Sequence, residues 1–442
     1  MSPRRSSYRP VAEAAWRWVL DQVREDDGPW IPQDPSVTEP AYDRDGLHSG
    51  IGGLAHVLEE VRLSRPWTPE EARLADAVAG RLRARITVTT DCTLFDGLAG
   101  TAGALLALGA DGTDEVLERL ATIAVDGGWP QTALGPPRYL PETRIHDATL
   151  GTAGVLLAAL WARRRGVSGA EPVVHHAVAV LLAEAEHLPT GTGWRWVPER
   201  HDTEPGARQM PNWSHGQAGI AGALAVAGAE LERPDLLAVA VSGAEHLVTL
   251  ADTTGRGFVA PITVPAKPGE EPVTFTWCHG PTGTSLLFAA LDHAGVANVA
   301  GEAPSAWRRR CLHSVRTSGI PERLRPGFWD NDGRCCGTAA VAEVFLDSWQ
   351  QTGEPDDLAF ALHLEDTLVD RAVVDGPHAH WRFLEHRAAE PLLPPGVGWM
   401  QGAAGIAATL FRCARVVEQG SAAGPVPRAD SWWAVALSGG AP

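Results

Sequence analysis

The sequence predicts an all-α fold, a closed α/α toroid of seven inner and seven outer helices, and three observations predict it. A short glycine-led, Ala/Leu-rich signature recurs seven times along the chain. A charged, amphipathic helical segment stands before each copy, with apolar residues at three- and four-residue spacing. The two sets also differ in character: segments after the glycines are small and apolar all round, whereas the others carry a polar face. That contrast separates inner from outer helices.

The signatures are "SGIGGLAHVL", "DGLAGTAGALLAL", "LGTAGVLLAAL", "HGQAGIAGAL", "HGPTGTSLLF", "CGTAAVAEVF" and "QGAAGIAATL". Their leading glycines are Gly50, Gly97, Gly151, Gly216, Gly280, Gly337 and Gly402, spaced by 47, 54, 65, 64, 57 and 65 residues. Outer segments run from "VAEAAWRWVLDQVRE" to "DDLAFALHLEDTLVDRAV", and Pro69-Glu70 and Pro234-Asp235 suit first helical turns. Stacked helix pairs form an open solenoid or close into a ring, and small residues on the inner helices favour closure around an axis. An open scaffold that binds another protein is the alternative reading. An aromatic residue (Trp30, Trp129, Trp196, Phe258 or Trp381) falls 20 to 22 residues before five of the glycines; packing over helix ends is the expected role, with lining of a cleft by some of them as the alternative. The repeats define one domain over 11–420, with 1–10 expected as a flexible N-terminus and 421–442 as a C-terminal tail.

Composition excludes several classes. A formal charge of −17 argues against a basic footprint for nucleic acid or anionic membrane. The start of the chain has no continuous apolar segment of signal-peptide type, and no apolar run reaches the roughly 18 residues of a membrane span. A cytoplasmic monomer is the expectation, and six cysteines in that setting are free, metal-bound or catalytic.

Equivalent repeat positions should gather at one pole of a ring. The residues directly before the glycines are Ser49, Asp96, Leu150, His215, His279, Cys336 and Gln401. Those one place earlier are His48, Phe95, Thr149, Ser214, Cys278, Cys335 and Met400. Ligands and proton carriers concentrate in repeats four to six. Cys278 and Cys335 hold the same place in adjacent repeats, and Cys336 follows next door, so three thiols should converge. Thiolates favour zinc, and three protein ligands with an open fourth position describe a catalytic zinc site. A Cys nucleophile served by His215 or His279 is the competing chemistry. Cys92, Cys311 and Cys413 lack that alignment, and Cys311 and Cys413 are expected as buried small hydrophobes.

With "NWSHGQAG" (212–219), "WCHGPTG" (277–283) and "RCCG" (334–337), the chain resembles the lanthipeptide cyclase (LanC-like) family over nearly its whole length. The resemblance implies an α/α toroid with Zn2+ at one end of its cavity. By motif, Cys278 and Cys335 match the two cysteine ligands, and Cys336 stands where a histidine ligand is usual. His215 in "SHG" matches the family's active-site histidine, and Asp147 in "HDATLG" its catalytic aspartate. His279 replaces a common tyrosine, and Thr274 stands where some members carry arginine.

The activity so implied is Michael-type addition of a peptide Cys thiol to dehydroalanine or dehydrobutyrine, giving thioether rings. The substrate would be a precursor peptide already dehydrated by a separate dehydratase, because the repeats leave no room for a fused one. Three thiolates give zinc a net charge of −1, which should leave a fourth, substrate thiolate nucleophilic. His215 is then the acid/base, Asp147 its orienter and His279 an alternative donor, with His48 and Gln401 as substrate contacts. Addition of glutathione to dehydrated residues follows the same logic. A glycosidase using Asp96 and Asp147 gives no role to the cysteines.

Overall fold

The computed structural model describes residues 7–131, 133–204, 209–269, 271–386 and 388–434. Seven helices follow the glycine signatures: α2 (Ile51–Ser64), α4 (Leu98–Leu108), α6 (Thr152–Arg164), α8 (Gln217–Glu230), α10 (Pro281–His293), α12 (Thr338–Thr352) and α14 (Ala403–Gln419). Alternating with them are α1 (Tyr8–Leu20), α3 (Pro69–Arg85), α5 (Thr113–Ile123), α7 (Ala170–Ala183), α9 (Pro234–Leu250), α11 (Pro304–Thr317) and α13 (Pro355–Arg371). Four two-stranded antiparallel hairpins decorate the loops, such as Glu186–Leu188 against Gly191–Gly193, with Glu186 opposite Gly193. Among the described residues, no helix is long and apolar enough to cross a membrane.

The inner ring runs α2–α4–α6–α8–α10 and closes through α12 and α14 back onto α2. Every residue of α8 from Gln217 to Gly228 is buried, as a helix surrounded by neighbours requires. Pairing differs from the order expected, in which each outer helix serves the glycine after it. Each inner helix packs on the outer helix that follows it, α2 on α3 through α12 on α13, and α1 packs on α14. The first helix thus closes the ring against the last. Its Tyr8 is fully buried and donates to Asp366 Oδ1 at 2.5 Å, so ordered structure begins within the segment expected to be flexible. The proline starts hold: Thr68 and Glu71 form a reciprocal capping box at α3, a device contributing about 1 kcal/mol.

The glycine signature has a steric cause. All seven leading glycines have extended backbone, so positive φ is not the reason. A Cβ on any of them would come within 3 Å of backbone six residues upstream, at Arg44, Asp91, Ile145, Met210, Thr274, Asn331 or Gly396. Each loop therefore folds back flush against the first turn of its helix. A second glycine three residues on has the same function: Gly53, Gly100, Gly154, Gly219, Gly283 and Gly405 admit the carbonyls of Leu47, Leu94, Ala148, Trp213, Trp277 and Trp399. In repeat six this position is Ala340.

These loops bond one another around the pole. His48 N donates to Phe95 O (3.0 Å), Phe95 N to Thr149 O (3.2 Å) and Ser214 N to Cys278 O (3.1 Å). Cys335 N donates to Met400 O (2.8 Å), and Met400 N to His48 O (3.0 Å). Between Thr149 and Ser214 the link passes through Thr149 Oγ1 (3.1 Å), because the Thr149 N–H is taken by Asp147. Six of seven links are hydrogen bonds; the seventh, from Cys278 to Cys335, is bridged by thiols. The helices behind it, α10 and α12, are also the least closely packed inner neighbours.

The chain beyond 420 does not form a free tail. Residues 423–434 turn into the lumen, burying Val426, Arg428, Ala429, Trp432, Trp433 and Ala434. Gly424 O accepts from Arg415, Val426 N donates to Glu60, and Trp433 lies against Trp213 with ring centroids 6.0 Å apart. Residues 1–6 and 435–442 lie outside the described residues.

The flush contact gives a paired prediction. Gly283→Ala forces a methyl onto the Trp277 carbonyl and should cost about 1–3 kcal/mol. Gly80→Ala, inside α3 with nothing within 4 Å of its would-be Cβ, should instead add about 0.5–1 kcal/mol. Denaturant midpoints of the two variants should move in opposite directions.

Candidate metal centre and its histidine–aspartate pair

Cys278, Cys335 and Cys336 converge as the repeat register requires. Their sulfurs all lie within 4.8 Å of one another, with Cys278–Cys336 at 3.1 Å and Cys336–Cys335 at 3.4 Å. Among the described residues they are the group of three or more His, Cys, Asp or Glu able to share a metal ion. A tetrahedral zinc about 2.3 Å from each sulfur would set them about 3.8 Å apart, so the cradle fits with a slight outward adjustment. Cys278 is buried and the other two are half-buried, which leaves one side accessible.

The thiols are electronically unequal. Hydrogen bonds from Cys335 and Cys336, then the neighbouring His279, hold the Cys278 pKa well below the ordinary thiol value. Cys335 is pushed well above it, first by its bond to Cys278 and then by Cys336 and burial. The mutual hydrogen bonds favour one ionised sulfur in the cluster, which suits it to lose protons to a metal. Two further groups touch its sulfur: His279 Nδ1 at 3.0 Å and Thr276 Oγ1 at 3.3 Å. Such outer contacts orient a ligand and tune it.

Next along the ring, His215 Nδ1 is 2.8 Å from Asp147 Oδ2. The carboxylate is fully buried, while the imidazole side chain keeps 24% exposure. Asp147 is immobilised by its own turn, since Oδ1 accepts from the N–H groups of Thr149 (3.0 Å) and Leu150 (2.6 Å). His215 is held from behind by its N–H to Asn212 Oδ1 (2.8 Å). Burial alone would lower the His215 pKa, but the Asp147 bond and charge outweigh it and raise it above 6.5, with a smaller contribution from Cys278. With Nδ1 committed to Asp147, Nε2 is the nitrogen left for a reactant. The rings of His215 and His279 lie 5.4 Å apart, and His279 touches the Cys278 sulfur, so the dyad adjoins the thiols.

The other expected residues sort clearly. His48 and Gln401 line a common cavity of about 140 Å³ with Gln33, Asp34, Phe383 and Leu393. His48 also meets Phe95 (5.2 Å), which stacks on Trp277 (6.3 Å), the residue before Cys278. Asp96 is turned toward Asp43 and Asp91; burial and those two charges raise its pKa to about 7. Cys92, Cys311 and Cys413 are buried away from the centre, and none of the six cysteines is in a disulfide.

Of the aromatics, Trp129 and Trp381 do pack over helix ends, their Nε1–H donating to Leu120 O and Leu368 O. In repeat four that place belongs to Trp194, which donates to Leu181 O. Trp196, two residues on, lies 5.6 Å from the His215 ring and lines the site. The signal for this was available, because Trp194 stands 22 residues before its glycine, the spacing of Trp129 and Phe258. Thr276 and Asn212 had no comparable signal.

A family model described as lanthionine synthetase C-like protein matches residues 42–419. The solved structure of nisin cyclase superposes with a TM-score of 0.58 at 11% identity, covering 92% of this chain and 94% of that one. Lin0763 from Listeria innocua gives 0.49 at 12% identity, over 93% and 97% of the two chains. Cellobiose 2-epimerase from Spirochaeta thermophila gives 0.48 at 12%, over 94% and 97%. At these identities nisin cyclase shares the fold, which is the helical toroid expected from the repeats. No curated protein matches the sequence significantly. The chain belongs to the lanthionine synthetase C-like family.

Proposed function

We propose that this protein is a zinc-dependent cyclase that adds peptide cysteine thiols across dehydroalanine or dehydrobutyrine residues to form thioether rings. One observation carries the reading: three convergent sulfurs adjoin a histidine whose proton is held by a buried carboxylate. The similarity to nisin cyclase and the family match support the same reaction class. Cys278, Cys335 and Cys336 would hold the metal, which when bound would keep a substrate thiol ionised and nucleophilic near neutral pH.

The chain's own residues account for the remaining steps. His279 and Thr276 hold Cys278 from the side and fix the rim of the site. Trp196, Phe95 and Trp277 provide apolar walls that exclude water from the double bond. As sulfur bonds to the β-carbon, the π pair moves to the α-carbon and carbonyl as an enolate. His215 then delivers the proton from Nε2 to the α-carbon, while Asp147 stabilises the imidazolium and fixes its orientation. The proton lost when the thiol ionises passes to solvent and solvent returns one to His215 Nε2, so the sum is addition of S–H across C=C, with nothing oxidised or reduced. His279 is the less suited donor, since its Nδ1 faces the Cys278 sulfur where His215 has a buried carboxylate to stabilise the imidazolium. The peptide would come dehydrated from a separate enzyme, and the cavity at His48 and Gln401 would take residues flanking the ring.

Three outcomes follow. Purified protein should carry about one zinc per chain, and Cys278→Ala or Cys335→Ala should reduce it to near zero by elemental analysis. Cys336→His should keep the metal but change the cyclisation rate; loss of zinc would count against the assignment. Asp147→Asn should lower kcat by roughly 10²–10⁴-fold. It should also shift the pH profile: His215 must be protonated to donate, so activity falls as pH rises through its raised pKa, and removing the raising charge moves that limb to lower pH. An unmoved limb would exclude His215 as the donor. Incubation of dehydrated peptide with and without glutathione, read by mass, separates ring closure from glutathione addition.

A further inference from the structure

We propose that Arg428, on the chain segment that fills the lumen, is a positioning residue for the metal centre. This rests on reading Cys278, Cys335 and Cys336 as metal ligands. The guanidinium binds both oxygens of the buried Glu343 on α12, with Nη1 at 2.9 Å from Oε1 and Nη2 at 3.1 Å from Oε2. Glu343 also pairs with Arg334, the residue directly before Cys335. Both arginines lie over the indole of Trp399, Arg334 at 4.1 Å and Arg428 at 5.8 Å from its centroid.

Trp399 leads directly into Met400, whose carbonyl accepts the N–H groups of Arg334 (2.7 Å) and Cys335 (2.8 Å). The cysteine loop is thus held twice. Its backbone hangs on the Trp399–Met400 segment, and its leading side chain shares a carboxylate with Arg428. The location matters as much as the contacts. Arg428, Asp430 and Ser431 line a cavity of only about 20 Å³ together with Leu286 of α10, Glu343, Val344 and Asp347 of α12, Trp277 and Met400. Among the described residues, the step from Cys278 to Cys335 is the one link of the ring in which no hydrogen bond reaches a neighbouring loop's carbonyl. The lumen segment thus shares a cavity with Trp277 and Arg334, the residues directly before Cys278 and Cys335, and Arg428 ties it to α12 there.

Arg428 is not needed for charge balance. Glu343 keeps Arg334 and Arg412 as partners without it, and Arg412 is also paired with Asp347. Arg428→Ala therefore leaves the buried Glu343 paired; the partner it takes from Asp430 is lost at a side chain that keeps 22% exposure and the Ser431 hydroxyl, and the toroid should fold. What it removes is the two-pronged hold on Glu343 and one layer of the stack on Trp399.

The test compares wild type, Arg428→Ala and Arg428→Lys as full-length protein. Zinc transfer to a competing chromophoric chelator is timed, and the cobalt-substituted protein is examined for thiolate-to-metal charge-transfer and d–d bands. Loss of an outer contact should speed transfer about tenfold in Arg428→Ala and alter the cobalt bands. Arg428→Lys, which keeps one charged bond to Glu343, should fall between. Melting temperature is recorded for all three, so that a merely structural role shows as a lowered melt with unchanged spectra. Unchanged transfer and spectra in Arg428→Ala, or equal changes in both variants, would overturn the proposal. Should wild type itself bind cobalt without thiolate bands, the metal-site reading fails first, and that result is distinct from an inert Arg428.

Discussion

The structure depends on the flush contact between each polar loop and the first turn of the inner helix that follows it. Seven carbonyl-bearing loops lie where a β-carbon would otherwise stand, and this brings their backbones close enough to bond one another around the pole. The ring of bonds sets the positions of residues one and two places before each glycine. Those are the positions that carry His48, Asp96, His215, Cys278, His279, Cys335 and Cys336. A site assembled from distant repeats, with Asp147 and Cys336 far apart in sequence, is therefore held by rigid turns rather than by flexible loops.

In repeat six Ala340 stands in place of the second glycine, while Gly337 keeps the flush contact with Asn331. The loop carrying Arg334, Cys335 and Cys336 donates its amides to Met400 as the first two loops donate theirs to Phe95 and Thr149, and its other edge faces Cys278 without a backbone bond. Sulfur fills that link. The side chains supporting the loop, Arg334 on Glu343 and both on Trp399, lie on its inner side, where the lumen segment adds Arg428.

Much of this was legible in the sequence because sterics impose a fixed spacing. The glycines, the inner and outer helix types and the convergence of the three cysteines all follow from local pattern plus repeat register. Helix pairing was read one step out of phase, since order along the chain does not say whether an inner helix packs on its predecessor or its successor. Only the contact of α1 with α14 decides it. Trp196 was grouped with packing aromatics because its spacing fell within two residues of the others, although a two-residue shift turns a side chain from the helix end to the site. The segment "GPVPRADSWWA" was read as a tail because its prolines and glycine break helices. Its burial depends on the lumen left by seven helices, which no local window contains.

A ring whose loops were all closed by identical backbone bonds would have no place for a ligand. Every N–H and carbonyl at the pole would be satisfied, and the side chains would point outward without converging. Opening all the links would expose reactive groups but lose their spacing. One open link among seven avoids both outcomes, because the six closed ones hold its two edges at a separation that thiol side chains can bridge. A metal there completes a circuit that the backbone leaves unfinished, so its binding should tighten the toroid as well as ready a thiol for attack. The Asp147–His215 pair sits two links from the opening, where Asp147 has taken the Thr149 amide and the Thr149 hydroxyl carries the ring bond instead. Both groups proposed to act in the chemistry therefore stand where the standard link has been altered, and the unaltered links keep them in register with each other.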